Sequence, residues 1–486
     1  MSRQRLSWSS LPSVAAAVRL PRYQAQDISP GIVHLGVGNF HRAHQAVAID
    51  DCLAAGETDW GIIGVSFRQP AMRDALAPQD GLYTLLERGE NTRARVIGSL
   101  QQILVAAESP AAMIAAIADP RIKLVTLTVT EKGYCLDATR RAPDWQHVDL
   151  AHDLRQPEQP RSVAGALVAG LRQRRAQRAG PLTVLSCDNL AGNGDALRGL
   201  VQGAAQAFDP SLVSYIQDTS RFPLSMVDRI VPRTTDALRA QAAAMLGLDD
   251  QWPVSAEPFT QWIVEDNFAG QRPSLERSGV EFVSDVAPFE AMKLRMLNAA
   301  HSTLAYLGVP ARLGTVADAI GQPILRGYIE RLWRDEVIPS LPSSVRARAP
   351  AYGNTLLTRF ANPSLGHQLA QIAIDGSQKL PLRIVSTIRL RLKANFLSPM
   401  LCLALAAWIR FLHGVDEQGV SYAIDDPLAK RLRPLLTGDA AQRVRQVLGQ
   451  RDLFDDLIDS AATGNAVIDG LKLLERYGTL AALQRL

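Results

Sequence analysis

Residues 32–55 read IVHLGVGNFHRAHQAVAIDDCLAA and decide the fold of the first half of the chain. A short apolar run ends in a Gly-x-Gly turn at 36–38, and the residues after it are typical of a helix. Strand, glycine turn and helix in this order form the phosphate-binding turn of a dinucleotide fold, because glycine lets backbone N–H groups approach a pyrophosphate. His41 stands where a third glycine is usual, so an ordinary turn is the alternative. The candidate cofactor-binding residues here are Gly36, Val37, Gly38, Asn39 and Phe40.

A second β-like run, Trp60–Phe67, follows at the spacing of a βαβ unit and supports this interpretation. NAD enzymes often place an acidic residue after this strand to bind the ribose hydroxyls, whereas this sequence has Arg68. Arg68 could meet the 2′-phosphate of NADP instead. The missing acidic residue thus gives no preference for NAD over NADP at this position. We expect NAD as the cofactor, with NADP as the alternative.

Two further runs, Ile122–Thr130 and Leu182–Cys187, are predicted to be buried strands. Residues at the carboxyl ends of parallel strands face the ligand crevice. Glu131 follows the first run and is a candidate proton relay, with a surface turn carboxylate as the alternative. Asn189 follows the second, and its carboxamide is suited to holding an alcohol oxygen.

The apolar run Ser225–Pro232 contains an aspartate, Asp228, which needs a partner or a ligand at such a position. A structural salt bridge, with Arg229 or another partner, is the alternative to a substrate contact. Two more strands are predicted at Thr84–Glu87 and Arg95–Leu104, and a helix at Ser162–Ala179.

From Pro288 onward, helical patterns dominate, so we place a domain boundary near residue 285. The predicted fold class is α/β, with a Rossmann-like domain at 1–285 and a mostly α-helical domain at 286–486. A loop is predicted at Ile374–Arg383, carrying Lys379. The predicted helices of this half are Ala291–Leu307, Ala317–Arg334, Thr355–Ala361, Pro399–Phe411, Pro427–Leu436, Ala440–Leu448 and Val467–Tyr477.

The helix predicted at Pro288–Leu307 carries Lys293, Asn298 and His301. At about 100° per residue, these side chains lie at roughly 0°, 140° and 80° and share one side of the helix. The chain uses seven lysines among 52 basic residues, so a lysine amid apolar neighbours suggests a group that must lose its proton. The alternative is an amphipathic helix with Lys293 at its solvent edge and two satisfied core polar groups.

A nucleotide site combined with these side chains suggests hydride transfer at a carbon that bears oxygen. We expect a metal-free site, because four distant cysteines and the His41/His44 pair make no credible ligand set. None of the nine tyrosines has a lysine four residues on, which leaves Lys293 as the candidate base. Its pKa would have to fall from about 10.4 through burial and nearby charge.

The composition favours a small-molecule partner. A net charge of +4 over 486 residues gives no strong basic field, so we expect neither nucleic acid nor a membrane surface as partner. The N-terminus shows no apolar signal segment, and the longest apolar run, Met400–Ile409, is too short to span a bilayer. The expected location is the cytoplasm.

Seven motifs in order resemble the long-chain mannitol dehydrogenase family of polyol dehydrogenases and sugar-acid reductases. They are IVHLGVGNFHRAHQ, TVTEKGYC, LSCDNLAGNG, MVDRIVP, EPFTQWIVEDNF, KLRMLNAAHS and DGSQKLP. The resemblance implies lysine catalysis without a metal, with Lys293, Asn298, His301 and Asn189 as the catalytic set. It also implies that Asp228 and Lys379 line the substrate pocket and that Glu290 relays protons.

Substrate choice depends on a smaller pattern. Mannitol-type members tend to carry an arginine where this chain has Gln371, and QIAIDGSQKLPLR is closer to members that interconvert fructuronate and mannonate. We therefore expect a sugar acid, with mannitol or arabinitol as the alternative. A non-catalytic nucleotide-binding sensor is an alternative of another class. Family members are often monomeric, while the residues themselves leave the oligomeric state open.

Overall fold

The computed structural model describes residues 3–137 and 142–486. The chain divides into two compact units, Met1–Val286 and Ala287–Leu486. The strands all lie in the first unit among the described residues, and the second unit is helical. The strands are β1 Pro30–Leu35, β2 Gly61–Ser66, β3 Tyr83–Arg88, β4 Thr92–Ile97, β5 Leu100–Val105, β6 Leu124–Leu127, β7 Leu182–Ser186, β8 Ser220–Arg221, β9 Ser225–Asp228, β10 Val254–Ala256, β11 Gln261–Glu265 and β12 Glu281–Val283.

The first unit is built on a six-stranded parallel sheet with the order β5-β2-β1-β6-β7-β8. The chain runs outward from β1 to one side and then returns to β6 on the other side. This reversal is the topological switch at which doubly wound folds bind their ligands. Two smaller sheets, β10-β3-β4 and β12-β11-β9, complete the unit.

Both faces of the parallel sheet are covered, which explains its continuous apolar strands. Val125 and Val184 belong to one hydrophobic cluster, and Leu124 and Leu185 belong to another on the opposite face. The α-helices of this unit are α1 Asn39–Ala43, α2 Gln45–Ala54, α3 Ala71–Leu76, α4 Pro110–Ala118, α5 Val148–Arg155, α6 Val163–Gln177, α7 Asn193–Phe208, α8 Leu212–Thr219 and α9 Asp236–Leu246.

The single strand predicted at Arg95–Leu104 is wrong, because the chain turns at Gly98 and Ser99. The residues on either side form β4 and β5, which belong to different sheets. The turn is fixed on α2, where Gly98 donates its N–H to Asp50 at 2.9 Å and the Ser99 hydroxyl donates to the Ala46 carbonyl at 2.8 Å. These long-range anchors outweigh the local β pattern.

The second unit combines α-helices with three π-helical turns among its described residues, at Leu294–Asn298, Trp333–Val337 and Pro381–Val385. The α-helices are α10 Ala287–Lys293, α11 Ala299–Gly308, α12 Val316–Ile320, α13 Pro323–Leu332, α14 Ile338–Ser340, α15 Ser343–Arg346, α16 Ala349–Phe360, α17 Leu369–Ile372, α18 Gly376–Leu380, α19 Ser386–Lys393, α20 Pro399–Phe411, α21 Ala429–Leu432, α22 Ala440–Leu448, α23 Arg451–Phe454, α24 Ala461–Tyr477 and α25 Thr479–Leu483.

The loop predicted at Ile374–Arg383 is also wrong, since it forms α18 and the π turn after it. A helix needs its first N–H groups satisfied. Here Asp426 supplies the acceptor, taking hydrogen bonds from the Ser377 N–H at 2.7 Å and the Ser377 hydroxyl at 2.6 Å. Gly376 is required at the start of α18, because a Cβ there would lie 2.5 Å from both Trp408 and Tyr306.

One other predicted helix is interrupted. The stretch Ala317–Arg334 breaks at Gly321 and Gln322, and Pro323 begins α13 at a position where a missing N–H is tolerated.

No helix among the described residues combines the length and apolar character needed to cross a bilayer.

Candidate active site

The Gly-x-Gly turn follows β1 at the edge of the sheet where the strand order reverses. Gly36 has a φ of +97°, and a Cβ there would lie 2.2 Å from the carbonyl oxygen of Thr128. A side chain at this position is therefore excluded. A Cβ on Gly38 would meet nothing closer than 3.9 Å, so space remains beside its backbone. The turn has the geometry that lets a pyrophosphate approach backbone N–H groups.

The side chains of the neighbouring candidates turn towards the protein. Val37 is buried in the core, and the ring of Phe40 stacks on that of His44 with 5.0 Å between centroids. The carbonyl oxygen of the Asn39 side chain accepts from Arg42 at 2.7 Å. These residues shape the turn, so a cofactor would meet mainly its backbone.

The helix predicted after the turn is interrupted at His44, where φ is −130° and ψ is −85°. His41 stacks on His34 with 3.3 Å between ring centroids, and His44 donates from Nε2 to the Gln261 carbonyl at 3.0 Å. Burial lowers the pKa of His34 to about 3 and also lowers the pKa of His41. His34 and His41 are therefore neutral near pH 7. His41 and His44 contact different groups.

Arg68 lies just beyond the carboxyl end of β2, where a contact with the cofactor ribose is expected. Its side chain is 73% exposed and donates to Asp149 at 2.7 Å. Exposed ion pairs of this kind contribute about 0–1 kcal/mol. Arg68 could therefore leave Asp149 and bind a phosphate group at little cost in free energy.

A group that the sequence analysis missed lies close to this arginine. One ligand atom each from Cys135, His147 and Asp149 falls within 4.8 Å of the others. His147 Nδ1 already accepts the backbone N–H of Asp149 at 3.3 Å, and the Asp149 carboxylate already binds Arg68. These potential ligand atoms are thus engaged by the protein itself.

A buried aspartate, Asp188, holds the loop that follows β6 through hydrogen bonds. Its carboxylate accepts the N–H groups of Thr130 at 2.9 Å and Val129 at 3.1 Å and the Tyr134 hydroxyl at 2.9 Å. Burial raises the pKa of Asp188, and these hydrogen bonds oppose that rise. Thr130 is held at a φ of +68°, a strained conformation for a β-branched residue. The exposed Glu131 comes directly after it.

The polar residues beyond β7 have separate structural roles. Asn189 is exposed next to Asp188. The side chain of Asn193 donates to the Ser225 carbonyl at 2.8 Å and accepts the Ser225 N–H at 3.0 Å, so it joins the start of α7 to β9. Asp228, the last residue of β9, is 4% exposed.

Arg229, the residue after Asp228, bonds to groups elsewhere in the first unit. The Arg229 guanidinium donates to Glu87 at 2.7 Å and to the backbone carbonyl of Glu257 at 3.0 Å. Arg229 therefore fastens β9 to other parts of the first unit.

The lysine-bearing helix of the second unit differs from the regular α-helix that was predicted. Lys293 ends α10, Asn298 ends the π turn and His301 lies in the first turn of α11. The π turn accommodates one residue more than an α turn. With Lys293 at 0°, the extra residue moves Asn298 to roughly 40° and His301 to roughly −20°, instead of 140° and 80°. The π turn thus brings the three side chains onto a narrower face.

His301 sits in a largely apolar niche. It is 8% exposed, its ring lies 4.7 Å from that of Phe360 and 5.0 Å from that of His367, and its Nε2 has no hydrogen-bond partner among the described residues. Burial lowers the pKa of His301 well below its ordinary value, and nearby cations lower it further. The ring is thus neutral near pH 7, with one nitrogen available to a ligand. Lys293 is 9% exposed.

The other candidates of this unit lie on neighbouring helices. Lys379, in α18, donates to the Ile372 carbonyl at 3.4 Å, and burial lowers its pKa. Glu290 precedes Lys293 by three residues, one turn of α10, so the two lie on the same side. Gln371, in α17, is exposed.

Sequence reasoning missed a second set of residues close to His301. Arg383 donates to the Ser302 hydroxyl at 3.1 Å and to the Asn298 carbonyl at 3.4 Å. Arg359 and His367 also lower the pKa of the His301 imidazole. Arg383 is four residues after Lys379. That spacing would have placed both on one helical face, had the segment been predicted as a helix.

Comparison with known proteins gives matches over nearly the whole chain. The mannitol dehydrogenase Rossmann domain matches residues 30–277, and the mannitol dehydrogenase C-terminal domain matches residues 285–474. D-mannonate oxidoreductase of Escherichia coli K12 is 40% identical over 457 residues, covering 93% of this chain and 94% of that protein. Mannitol 2-dehydrogenase of Phaeosphaeria nodorum is 40% identical over 474 residues, covering 96% and 83%.

A solved structure matches the chain over a similar length. The Pseudomonas fluorescens mannitol 2-dehydrogenase, in a ternary complex with NAD and D-mannitol, superposes with a TM-score of 0.87 at 38% identity over 99% of both chains. These matches confirm the resemblance drawn from the seven motifs, the predicted fold class and the assignment to NAD-dependent oxidoreductases.

Proposed function

We propose, since the chain belongs to the mannitol dehydrogenase family, that it interconverts a secondary alcohol of a sugar acid and the matching ketone. The pair we favour is D-mannonate and D-fructuronate. The observation that carries the proposal is the π-turned helix that gathers Lys293, Asn298 and the unpartnered nitrogen of His301 onto one narrow face. The QIAIDGSQKLPLR segment supports the sugar acid.

Each of these side chains has a role in the proposed reaction. Lys293, in its neutral form, removes the hydroxyl proton as the alcohol is oxidised and returns it during reduction. Asn298 and His301 hold the oxygen and stabilise the developing alkoxide, and Asn189 shares this task. Bound NAD would accept or return the hydride. No metal ion is required in this scheme.

The remaining candidates complete the proposal. Residues 1–285 act as the nucleotide-binding domain, with the backbone of 36–40 at the pyrophosphate, and residues 286–486 act as the catalytic domain. The open space beside Gly38 fits such a cofactor. Glu290 relays protons from Lys293, and Glu131 is a second relay candidate. The substrate-binding residues are Asp228, Lys379 and Gln371.

A polyol is the second candidate substrate. The mannitol 2-dehydrogenase of Phaeosphaeria nodorum and the D-mannonate oxidoreductase of Escherichia coli are each 40% identical to this chain. Overall identity therefore favours neither class, and mannitol or arabinitol stays open as the substrate.

A substrate panel tests the proposal. We expect the purified chain to oxidise NADH with D-fructuronate, with a kcat/KM at least tenfold above those for D-fructose and other ketoses. The measurement is absorbance at the reduced-nicotinamide band, with NADH and NADPH in parallel. Turnover of fructose alone would move the assignment to the polyol class, and no turnover with any ketose would contradict the proposed reaction.

Cofactor choice is tested at Arg68. If Arg68 meets a 2′-phosphate, Arg68→Ala should raise the Kd for NADP by about tenfold, since a charge-assisted contact is lost, and leave that for NAD within about twofold. Fluorescence titration with each cofactor measures both constants. Arg121→Ala, which removes another exposed arginine paired with an aspartate, is the matched control. Equal effects of Arg68→Ala on both cofactors would remove Arg68 from the phosphate contact.

A further inference from the structure

The carbonyl oxygen of Gly36, inside the glycine turn, accepts hydrogen bonds from three donors. The Gly38 N–H donates at 2.7 Å, the Thr128 hydroxyl at 2.9 Å and the Nε2–H of His34 at 3.1 Å. A carbonyl oxygen has two lone pairs, so three donors saturate it. The φ of Gly36 is +97°, and these bonds fix the orientation of its peptide group. The conformation of the turn is thus set by the protein's own hydrogen bonds.

The His34 ring that takes part is itself held by threonines. His34 lies on β1 opposite Thr126 on β6, and its Nδ1 lies 2.7 Å from the Thr126 hydroxyl oxygen. Because Nε2 must carry the proton to reach the Gly36 carbonyl, Nδ1 of the neutral ring accepts from Thr126. Nε2 also lies 3.0 Å from the hydroxyl oxygen of Thr128, the first residue beyond β6. Both ring nitrogens are therefore engaged, which fixes the ring in one orientation.

His41 occupies the position of the missing third glycine and covers this ring. In a dinucleotide fold that glycine allows the helix to pack closely on the strand. Here the fully buried His41 stacks on His34, with 3.3 Å between ring centroids and 12° between ring planes. A stacked pair of imidazoles thus stands where the close backbone contact is usual, and the His34 ring is also fully buried.

We propose that Thr128 and the stacked pair His34–His41 are positioning residues for NAD, which together replace the third glycine of the fingerprint. Their assigned role rests on the proposed function, in which NAD lies at residues 36–40, and deepens it. A turn fixed before binding loses little conformational freedom when the cofactor arrives, and such preorganisation raises affinity. The three side chains act through the Gly36 peptide group and need not touch the cofactor.

Two substitutions at Thr128 separate its hydroxyl group from its shape. Thr128→Val keeps the volume but loses the donor to Gly36, and it should raise the Kd for NAD by about 3- to 10-fold, as expected for one neutral hydrogen bond. Thr128→Ser keeps the hydroxyl and should bind NAD within about twofold of the wild type. Fluorescence titration without substrate measures the Kd. The kcat at saturating NAD should stay within about twofold in both variants, because the effect is on binding.

Thr183→Val is the matched control, because it removes a buried threonine hydroxyl from the same sheet. Thr183 is 1% exposed, and its hydroxyl oxygen accepts the Ala269 N–H at 2.9 Å. It pairs with Leu124 at the start of β6, whereas Thr128 follows the end of that strand. Thr183→Val should lower the melting temperature at least as much as Thr128→Val and leave the Kd for NAD unchanged.

His41→Gly restores the usual third glycine, yet it should raise the Kd for NAD at least threefold because it uncovers the His34 ring. Unchanged or tighter binding in this variant would overturn the role of the histidine pair. If it does not fold, the Thr128 variants decide.

Wild-type affinity in Thr128→Val would overturn the proposal, and so would an equal loss in Thr183→Val, since general destabilisation would then explain both. A wild type that does not bind NAD would instead refute the proposed function itself.

Discussion

Lys293→Ala is expected to lower kcat by about 10²- to 10⁴-fold, the usual contribution of a general base. The Kd for NAD should stay within about twofold, because the proposed cofactor contacts belong to residues 36–40. Lys293 is the last residue of α10 and is 9% exposed. Alanine is a good helix former, so the substitution should leave the helix intact.

Stopped-flow and steady-state absorbance with D-fructuronate measure the loss, and fluorescence titration measures NAD binding. Lys393→Ala is the control, since Lys393 ends α19 and is exposed. Lys293→Arg should be as inactive as Lys293→Ala, because a guanidinium does not lose its proton near neutral pH. A near-normal rate in either variant would remove Lys293 as the base.

Asp188 and Asn189 are adjacent in sequence, yet their substitutions should have opposite effects. Asp188→Ala strips the acceptor from two backbone N–H groups and the Tyr134 hydroxyl. Leaving these donors unsatisfied should cost roughly 3 kcal/mol and lower the melting temperature by roughly 6–12 °C. Asn189→Ala removes an exposed side chain and should lower the stability less than Asp188→Ala does.

For activity, the larger direct effect is expected in Asn189→Ala. If Asn189 stabilises the developing alkoxide, Asn189→Ala should lower kcat by about 10²- to 10³-fold, as loss of an oxyanion donor does. Circular dichroism melts and initial rates with D-fructuronate measure both properties. Normal turnover in Asn189→Ala would exclude Asn189 from catalysis, and an unchanged melt in Asp188→Ala would contradict the role given to its hydrogen bonds.

The parts of the structure that depend on local sequence were predicted well. The glycine turn after β1, the buried strand β7 and helices α20 and α22 follow from apolar periodicity and from start and stop residues, and these signals lie within a few positions of each other. The order of the motifs added the family, which periodicity alone does not carry.

The errors lie where distant residues decide the local structure. Asp426 completes α18 from 49 residues away, and Asp50 bends the chain between β4 and β5 from 48 residues away. The π turn after Lys293 has no sequence signature, because its i→i+5 bonds use the same residue types as an α-helix. Arg383 was missed for the same reason as α18, since a loop gives no face on which to place it.

The bond between Ser377 and Asp426 has a consequence for redesign of this enzyme. The segment proposed to read the substrate is held in shape by a carboxylate encoded 49 positions downstream. A graft that imports a relative's 375–383 alone would leave the new helix without its anchor. Exchange of substrate preference between family members should therefore succeed only when both pieces of sequence are transplanted together.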